Sequence, residues 1–147
     1  MMAVFRQGLH KRKPKKKVAF CSYTGKATRV LEQTLNKFGA KYSDDITGTI
    51  HSLIYEPVTN NNGQVVRWRK KQKLDVDLII VDEASMVDGY IWSDLQSFSK
   101  PILAVGDHGQ LPPIRGEFNL MEKPDIKLEK IHRQAKGNPI IKLSEKV

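Results

Sequence analysis

"DLIIVDEAS", residues 77 to 85, is the stretch that indicates the fold class of this 147-residue chain. Four consecutive apolar residues, 78 to 81, are followed directly by Asp82 and Glu83. A continuous apolar run of this length predicts a strand buried on both faces, as in the centre of a parallel sheet. Asp82 and Glu83 would then lie at the C-terminal edge of the sheet, where open α/β sheets bind ligands.

Further strand-like runs lie on either side of this stretch along the chain. "KVAFCSY" (17–23), "KPILAVGD" (100–107) and "IKLEKIHRQ" (126–134) have the length and apolar character of strands. Helical patterns separate them, in "KATRVLEQTLNKF" (26–38) and "MVDGYIWSDLQSF" (86–98). Strands that alternate with helices predict an α/β fold, with a mostly parallel sheet covered by helices on both faces.

Three local features refine this prediction. In residues 26–38 the spacing puts one apolar set on a helix face that ends before Gly39, namely Val30, Leu31, Leu35 and Phe38. Gly89 is a weak point in the second helical pattern, and "TIHSLI" (49–54) is too short to assign. Residues 55–74 hold an Asn-Gly pair between strand-like arms, which predicts an inserted tight β-hairpin.

Composition limits the classes of function. The 25 Lys and Arg residues outnumber the 16 Asp and Glu residues, and they concentrate in residues 6–17 and in "RWRKKQK" (67–73). Such clusters favour a nucleic-acid partner, although a solvated basic surface gives the same pattern. No apolar run approaches the roughly 20 residues that cross a bilayer. The lone Cys21 indicates a reducing compartment, so we expect a cytoplasmic protein that does not contact a membrane.

Two stretches carry groups suited to phosphate chemistry. "LIIVDE" has the form of a Walker B strand, in which one carboxylate holds magnesium and its neighbour orients an attacking water. A strand that merely ends in two acids at the surface is the alternative. "VGDHGQLPPI" (105–114) places Gly106, Asp107 and Gln110 after the next strand, where the Gln110 amide can hydrogen-bond a terminal phosphate.

Together these stretches resemble the superfamily 1 DNA helicases, in particular the RecD-like branch with the TraA-type and phage Dda-type enzymes. "VDEASMVD" is similar to motif II of that family and "VGDHGQLPPI" to motif III. "SYTGKAT" resembles motif Ia, "TIHSLI" the following DNA-contact motif, and "LEKIHRQ" motif IV. The five occur in family order across residues 22–134, and they imply a RecA-like P-loop NTPase fold.

The resemblance implies a role for each matching residue. Asp82 would coordinate Mg²⁺ and Glu83 would activate the hydrolytic water. Gly106, Asp107, Gln110 and Arg133 would contact or support the terminal phosphate of ATP, Arg133 in the manner of an arginine finger. Single-stranded DNA would contact the remaining four residues, which are Thr24, Lys26, Thr49 and His51.

A phosphate-binding loop of the form G-x-x-x-x-G-K-[ST] does not occur in the 147 residues. Gly25–Lys26 comes nearest, but Phe20 and Ala27 occupy the positions where the pattern needs glycine and a hydroxyl residue. Residues 1–10 stand where the family has the helix after that loop. We therefore expect a single partial motor domain, residues 1–147, that lacks Walker A and the second RecA-like domain.

Three functions remain open at this point. The chain is part of an ATP-dependent DNA helicase, with ATP and Mg²⁺ as cofactors and single-stranded DNA as partner. Alternatively it is a single-stranded-DNA-binding module without ATPase activity, or a vestigial or split helicase piece that acts with the remainder of the helicase or an accessory nuclease subunit. A P-loop ATPase of another type, sharing only the Walker B strand, is the third. We expect the chain by itself to be inactive as an ATPase.

Overall fold

The computed structural model describes residues 1–107, 118 and 120–127. Within this part of the chain the helices are α1 (Met2–Arg12), α2 (Gly25–Lys37), α3 (Ile50–Ile54) and α4 (Gly89–Gln96). The strands are β1 (Val18–Ser22), β2 (Ile46–Thr49), β3 (Tyr55–Thr59), β4 (Val65–Lys70), β5 (Leu78–Asp82) and β6 (Ile102–Ala104). A short 3₁₀ turn, Ala84–Met86, follows β5.

Four strands form one parallel sheet in the order β2-β1-β5-β6, and β3 and β4 form a separate antiparallel hairpin. β1 and β5 occupy the centre, as their apolar sequences predict, and all five residues of β1 are buried. The predicted α/β fold with a mostly parallel sheet is thereby confirmed. Residues 78–81 have the central position that their sequence indicates.

Helices cover both faces of the sheet. Successive residues of a strand point to opposite sides, so the apolar strands offer buried side chains to the helices on each face. Even-numbered residues of β1 and β5, such as Phe20 and Ile80, pack with α1 and α2. Odd-numbered residues, such as Cys21 and Val81, pack with α3 and α4. The two clusters give the sheet a separate apolar layer on each face.

The apolar face of α2 is narrower than its sequence predicts. Leu31 and Leu35 are buried, whereas Val30 and Phe38 are each 57% exposed. Thr28, Leu31 and Leu35 are spaced by three and four residues and share one side of the helix. Val30 lies to one side of that line, and Phe38 follows the last helical residue, so these two apolar side chains lie outside the buried face.

A buried ion pair attaches α1 to the start of the sheet. Arg6 donates from Nε to Oδ2 of Asp45 (2.8 Å) and from Nη2 to Oδ1 (2.9 Å), and both side chains are almost fully buried. The Asp45 carboxylate also accepts hydrogen bonds from the backbone amides of Val18 and Tyr42. The Arg6 guanidinium lies 4.4 Å from the centre of the Tyr42 ring. This cluster joins the first helix to the segments that precede β1 and β2.

Two local predictions need correction. The helix predicted in residues 86–98 begins only at Gly89, where the Asp88 side chain accepts a hydrogen bond from the Ile91 amide and caps it. The hairpin turn is longer than a two-residue Asn-Gly turn. Asn60 and Gln64 close it through backbone and side-chain hydrogen bonds, and Gly63 has the positive φ of 76° that the turn requires. A bulge at Val58/Thr59 accompanies this longer turn.

In the residues described, no helix combines the length and apolar character that a bilayer-spanning segment needs. The predicted strand at 126–134 lies mostly outside the described residues, and the loop at 108–117 lies wholly outside them.

Candidate functional site

All four strands of the parallel sheet end at the same edge, and the predicted site residues follow their last positions. In the strand register, Ser22 lies between Thr49 of β2 and Asp82 of β5. The Ser22 hydroxyl donates to the Asp82 carbonyl oxygen at 3.3 Å. Residues from four separate segments of sequence are therefore brought to one edge. Ser22 is a member of this edge that the sequence analysis did not single out.

Asp82 and Glu83 lie half-buried at the centre of this edge. Glu83 has φ 53° and ψ 43°, in the left-handed region that non-glycine residues seldom adopt. Its backbone amide donates to Oδ1 of Asp82 at 3.1 Å. The chain thus turns sharply between the two acidic residues. Such strained conformations cluster at functional sites, although the strain alone does not identify a function.

Gly106 and Asp107 lie beside this turn and are exposed. The Val105 amide donates to the Val81 carbonyl at 2.8 Å, and the Val105 carbonyl accepts from the Ala84 amide at 3.0 Å. A methyl group at Gly106 would come within 3.0 Å of the Ser85 nitrogen and 3.2 Å of the Ala84 nitrogen. The segment after β6 approaches the segment after β5 closely because residue 106 has no side chain.

Gln110 and Arg133, the other two residues predicted to contact the terminal phosphate, lie outside the described residues. Their assignments stay predictions.

Thr24 and Lys26 lie where β1 leads into α2. Thr24 is the N-cap of α2, and its hydroxyl accepts a hydrogen bond from the Ala27 amide at 3.2 Å. Lys26 is exposed in the first turn of the helix. Gly25 has no positive φ, and a methyl group there would meet nothing within 4 Å. The turn therefore does not require glycine, and Gly25 leaves the surface beside Lys26 open.

Thr49 and His51 occupy the corresponding position on β2. Thr49 is the N-cap of α3 and accepts from the Ser52 amide at 3.2 Å, so "TIHSLI" forms a capped helix of one and a half turns. His51 is exposed, and its ring contacts those of Tyr23 and Tyr55, with centroids 6.4 Å and 5.6 Å away. Both predicted threonines thus have a structural role as helix caps, which the sequence analysis did not recognise.

The hairpin is anchored at its base, where Tyr55 and Lys70 are a cross-strand pair. Both donate to the Asp94 carboxylate of α4, Tyr55 from its hydroxyl and Lys70 from Nζ at 2.9 Å. Lys71 Nζ donates to the carbonyls of Ser52 and Leu53, near the end of α3. The base of the hairpin is therefore joined to two helices.

Beyond this base the hairpin is open to solvent. Every residue of β4 is exposed, and Trp68 retains 62% of its surface. Arg69 forms a cross-strand ion pair with Glu56, while Arg67 lies opposite Val58. The arm therefore presents the Trp68 ring on one face and Arg67 and Arg69 on the other. An exposed ring can stack on a base, and basic side chains can contact phosphates.

The pKa values of three groups, Cys21, Tyr55 and Asp94, follow from their surroundings. Burial raises the pKa of the Cys21 thiol to about 12, so the thiol stays protonated at neutral pH. Burial and the hydrogen bond to Asp94 raise the pKa of Tyr55 to about 12. The same hydrogen bond, with that from Lys70, lowers the pKa of Asp94. Cys21 is therefore an inert core thiol, and the Tyr55–Asp94 contact holds a neutral phenol against a carboxylate.

In the described ranges no three His, Cys, Asp or Glu side chains are grouped as metal ligands. Asp82 therefore fits a Mg²⁺ ion only as one of few protein ligands. This is the usual arrangement when Mg²⁺ is bound together with the phosphates of a nucleotide and keeps several waters. The donor type at Asp82 is compatible with that arrangement.

Comparison with known proteins places these features in a family. Residues 2–116 match the model of the AAA domain family AAA_19. The chain is 34% identical over 132 residues to the ATP-dependent RecD2 DNA helicase of Deinococcus radiodurans, an alignment that covers 84% of this chain and 16% of that protein. It is 33% identical over 116 residues to the RecBCD enzyme subunit RecD of Buchnera aphidicola subsp. Schizaphis graminum, covering 70% of this chain and 19% of that protein. The chain thus spans less than a fifth of the length of these curated relatives.

Proposed function

The chain belongs to the AAA domain family and is a relative of the RecD-type helicases, and from this membership we propose that it is part of an ATP-dependent DNA helicase. In this proposal it supplies a single α/β motor domain, residues 1–147, with the hairpin of residues 55–74 as an insertion. ATP with Mg²⁺ is the cofactor, single-stranded DNA the partner and the cytoplasm the location. Partners in the cell include the rest of the helicase or an accessory nuclease subunit.

One observation carries the proposal. Asp82 and Glu83, at the end of central strand β5, lie next to the segment of Gly106 and Asp107, joined by the hydrogen bond between Ala84 and Val105. Phosphoryl transfer needs a carboxylate on the metal and a group that orients water, next to groups that bind the transferred phosphate. The juxtaposition of these two segments supports the site, and Gln110 and Arg133 complete the proposed set.

Each described residue has a proposed task. Mg²⁺ bound with ATP would neutralise the charge that develops on the transferred phosphate. Asp82 would hold that ion, and Glu83 would accept a hydrogen bond from the attacking water and orient it. The Gly106–Asp107 backbone would approach the phosphates, because this segment is exposed beside the carboxylates.

Thr24, Lys26, Thr49 and His51 would face single-stranded DNA. The exposed Lys26 ammonium and the surface left open by Gly25 support a close approach of a phosphate there. His51, beside the rings of Tyr23 and Tyr55, would contact a base or sugar. The two caps fix the helix starts that carry Lys26 and His51.

Binding of single-stranded DNA by this chain tests the DNA side of the site. Lys26→Ala should weaken salt-sensitive binding, measured by fluorescence anisotropy of a labelled oligonucleotide. Thr24→Ser keeps the hydroxyl and should bind normally, whereas Thr24→Ala loses the cap and costs about 0.5–2 kcal/mol of stability. Unchanged binding by Lys26→Ala and His51→Ala would contradict this DNA surface.

A second candidate is a DNA-binding module that does not hydrolyse ATP. The exposed basic arm with Trp68 favours it, because that arm can bind DNA without a nucleotide. We propose that the 147-residue chain alone shows no DNA-stimulated ATP hydrolysis. Turnover that disappears in Glu83→Gln would overturn this proposal and favour a motor that is active in this chain.

A further inference from the structure

We propose that residues 11–16, here called the basic loop, form a second surface for the phosphate backbone of nucleic acid, separate from the candidate site. The choice of DNA as the ligand rests on the proposed function. The location, the charge and the rigidity of the loop come from observations independent of it.

The basic loop carries positive charge that the fold does not neutralise. Lys11, Arg12, Lys13 and Lys15 are exposed, and none of them forms a salt bridge with another described residue. Three carboxylates near the loop are already paired with cations, one of them with Lys16 of the loop itself. Asp77 pairs with Lys16 at 2.8 Å, Asp75 with Lys17 at 2.7 Å, and Asp45 with Arg6.

Stabilisation of α1 explains only part of this charge. Lys11 and Arg12 lie in the last turn of α1, where cations interact favourably with the helix dipole. Lys13 is the C-cap residue of α1 and shares this interaction, whereas Lys15 lies two residues further along the chain. The helix dipole therefore does not explain the charge of Lys15.

Hydrogen bonds hold the basic loop in one conformation. The Lys13 amide donates to the Leu9 carbonyl at 2.8 Å, and the Lys16 amide donates to the Lys13 carbonyl at 3.2 Å. Pro14 occupies the second position of the resulting turn, which its fixed φ favours. The buried Arg6 donates from Nη2 to the Lys16 carbonyl at 3.1 Å. A loop fixed in this way loses little conformational entropy when it binds a ligand.

The basic loop lies at the edge of the sheet opposite the candidate site. Lys16 and the Lys17 amide contact Asp77, which immediately precedes β5, whereas Asp82 ends the same strand. Along β5, Asp77 and Asp82 are therefore about 16 Å apart. Beside the loop is an open cleft of about 460 Å³, lined by Lys13, Pro14, Lys15, Lys16 and Asp77.

The test compares the double variant Lys13→Ala/Lys15→Ala with the unmodified chain. The probes are one short single-stranded oligonucleotide and the duplex of the same sequence, each titrated at several salt concentrations. Loss of two phosphate contacts should reduce the slope of log K against log salt by up to about 1.8 for duplex and about 1.4 for single strands. The basic loop binds the form of nucleic acid whose slope falls closer to its own full loss, about 1.8 for duplex or about 1.4 for single strands.

Two control variants show whether a loss of DNA binding comes from the lost contacts of Lys13 and Lys15 or only from the lower net charge of the chain. Lys13→Arg/Lys15→Arg keeps both charges and should bind as the unmodified chain does. Lys123→Ala/Lys127→Ala removes two exposed lysines elsewhere in the described residues and should change the slope less. Equal losses in this variant and in Lys13→Ala/Lys15→Ala would overturn the proposal, because binding would then follow net charge alone.

Combination with Lys26→Ala distinguishes this proposal from the proposed function. For an oligonucleotide that contacts both surfaces at once, the fold-losses of the loop variant and of Lys26→Ala should multiply. If Lys26→Ala weakens binding and the loop variant does not, the second surface is wrong and the proposed function stands. If only the loop variant weakens binding, the second surface stands and the DNA side of the proposed site is wrong. Absence of DNA binding by the unmodified chain contradicts both.

Discussion

Arg6 and Asp45 form a bidentate ion pair in the interior, although 39 residues separate them in sequence. Removal of one partner leaves the other charge buried. We therefore predict that Arg6→Met lowers the free energy of unfolding by about 3–5 kcal/mol, as for other buried pairs broken on one side. Urea denaturation followed by circular dichroism measures this change.

The Lys16–Asp77 pair provides the matched control, because its side chains are 44% and 37% exposed. Lys16→Met should cost no more than about 1 kcal/mol. Similar losses in Arg6→Met and Lys16→Met would show that burial does not distinguish the two pairs.

A second prediction concerns the close approach at Gly106. In Gly106→Ala the new methyl group lies 3.0 Å from the Ser85 nitrogen, so either the turn after Asp82 or the segment after β6 must shift. We expect a destabilisation of about 1–3 kcal/mol, typical of overpacking. Gly25→Ala meets nothing within 4 Å and should be neutral or slightly stabilising. Thermal unfolding of the two variants checks the contrast, and equal effects would contradict it.

The third prediction concerns the pH dependence of the hairpin base. Burial first, and then the hydrogen bond to Asp94, raise the pKa of Tyr55 to about 12, from an ordinary value of 10.0. A raised pKa in the folded state means that the neutral phenol stabilises the fold below about pH 10, and that this contribution is lost as the pH rises through 12. Tyrosinate absorbance should show a step with its midpoint near pH 12.

Two variants assign that titration. Tyr55→Phe should remove the titration step near pH 12. Asp94→Asn should lower the midpoint of that step only in part, because burial is the largest cause of the raised pKa of Tyr55. A full return to the ordinary value in Asp94→Asn would mean that the carboxylate, and not burial, controls the phenol.

The fourth prediction uses the lone thiol. Cys21 is fully buried in β1, and burial raises its pKa to about 12. At about pH 8 a thiol reagent should not modify the folded chain, since the thiolate is the reactive form. The unfolded chain should react at once, with one thiol per molecule. Rapid modification under native conditions would show that β1 opens to solvent.

Sequence alone predicted the parallel sheet, because unbroken apolar runs such as 78–81 occur where a strand is buried on both faces. It also predicted that Asp82 and Gly106 lie at the same edge, since parallel strands that carry motifs at their ends bring those motifs together. Strand β2 and the order β2-β1-β5-β6 were not predicted from the sequence. The assigned roles of the site residues stay predictions.

Other features had no local signal. The Arg6–Asp45 pair and the close approach at Gly106 depend on residues that are distant in sequence. The left-handed Glu83 is not suggested by its residue type, because glutamate rarely adopts that conformation. The helix caps at Thr24 and Thr49 could have been predicted from the sequence, because a threonine before a helical pattern is a known signal for the start of a helix.

Because the hairpin is held at its base, a small rotation there moves the far end of the hairpin through a larger distance. Five residues of antiparallel strand extend β3 by about 17 Å, and a rotation of about 10° at the base moves the far end by about 3 Å. The base is held by hydrogen bonds to Asp94 on α4, the helix that follows the turn of Asp82 and Glu83. A small rotation of α4 that carried the hairpin with it would therefore move the far end of the hairpin by about the rise of one residue in a strand.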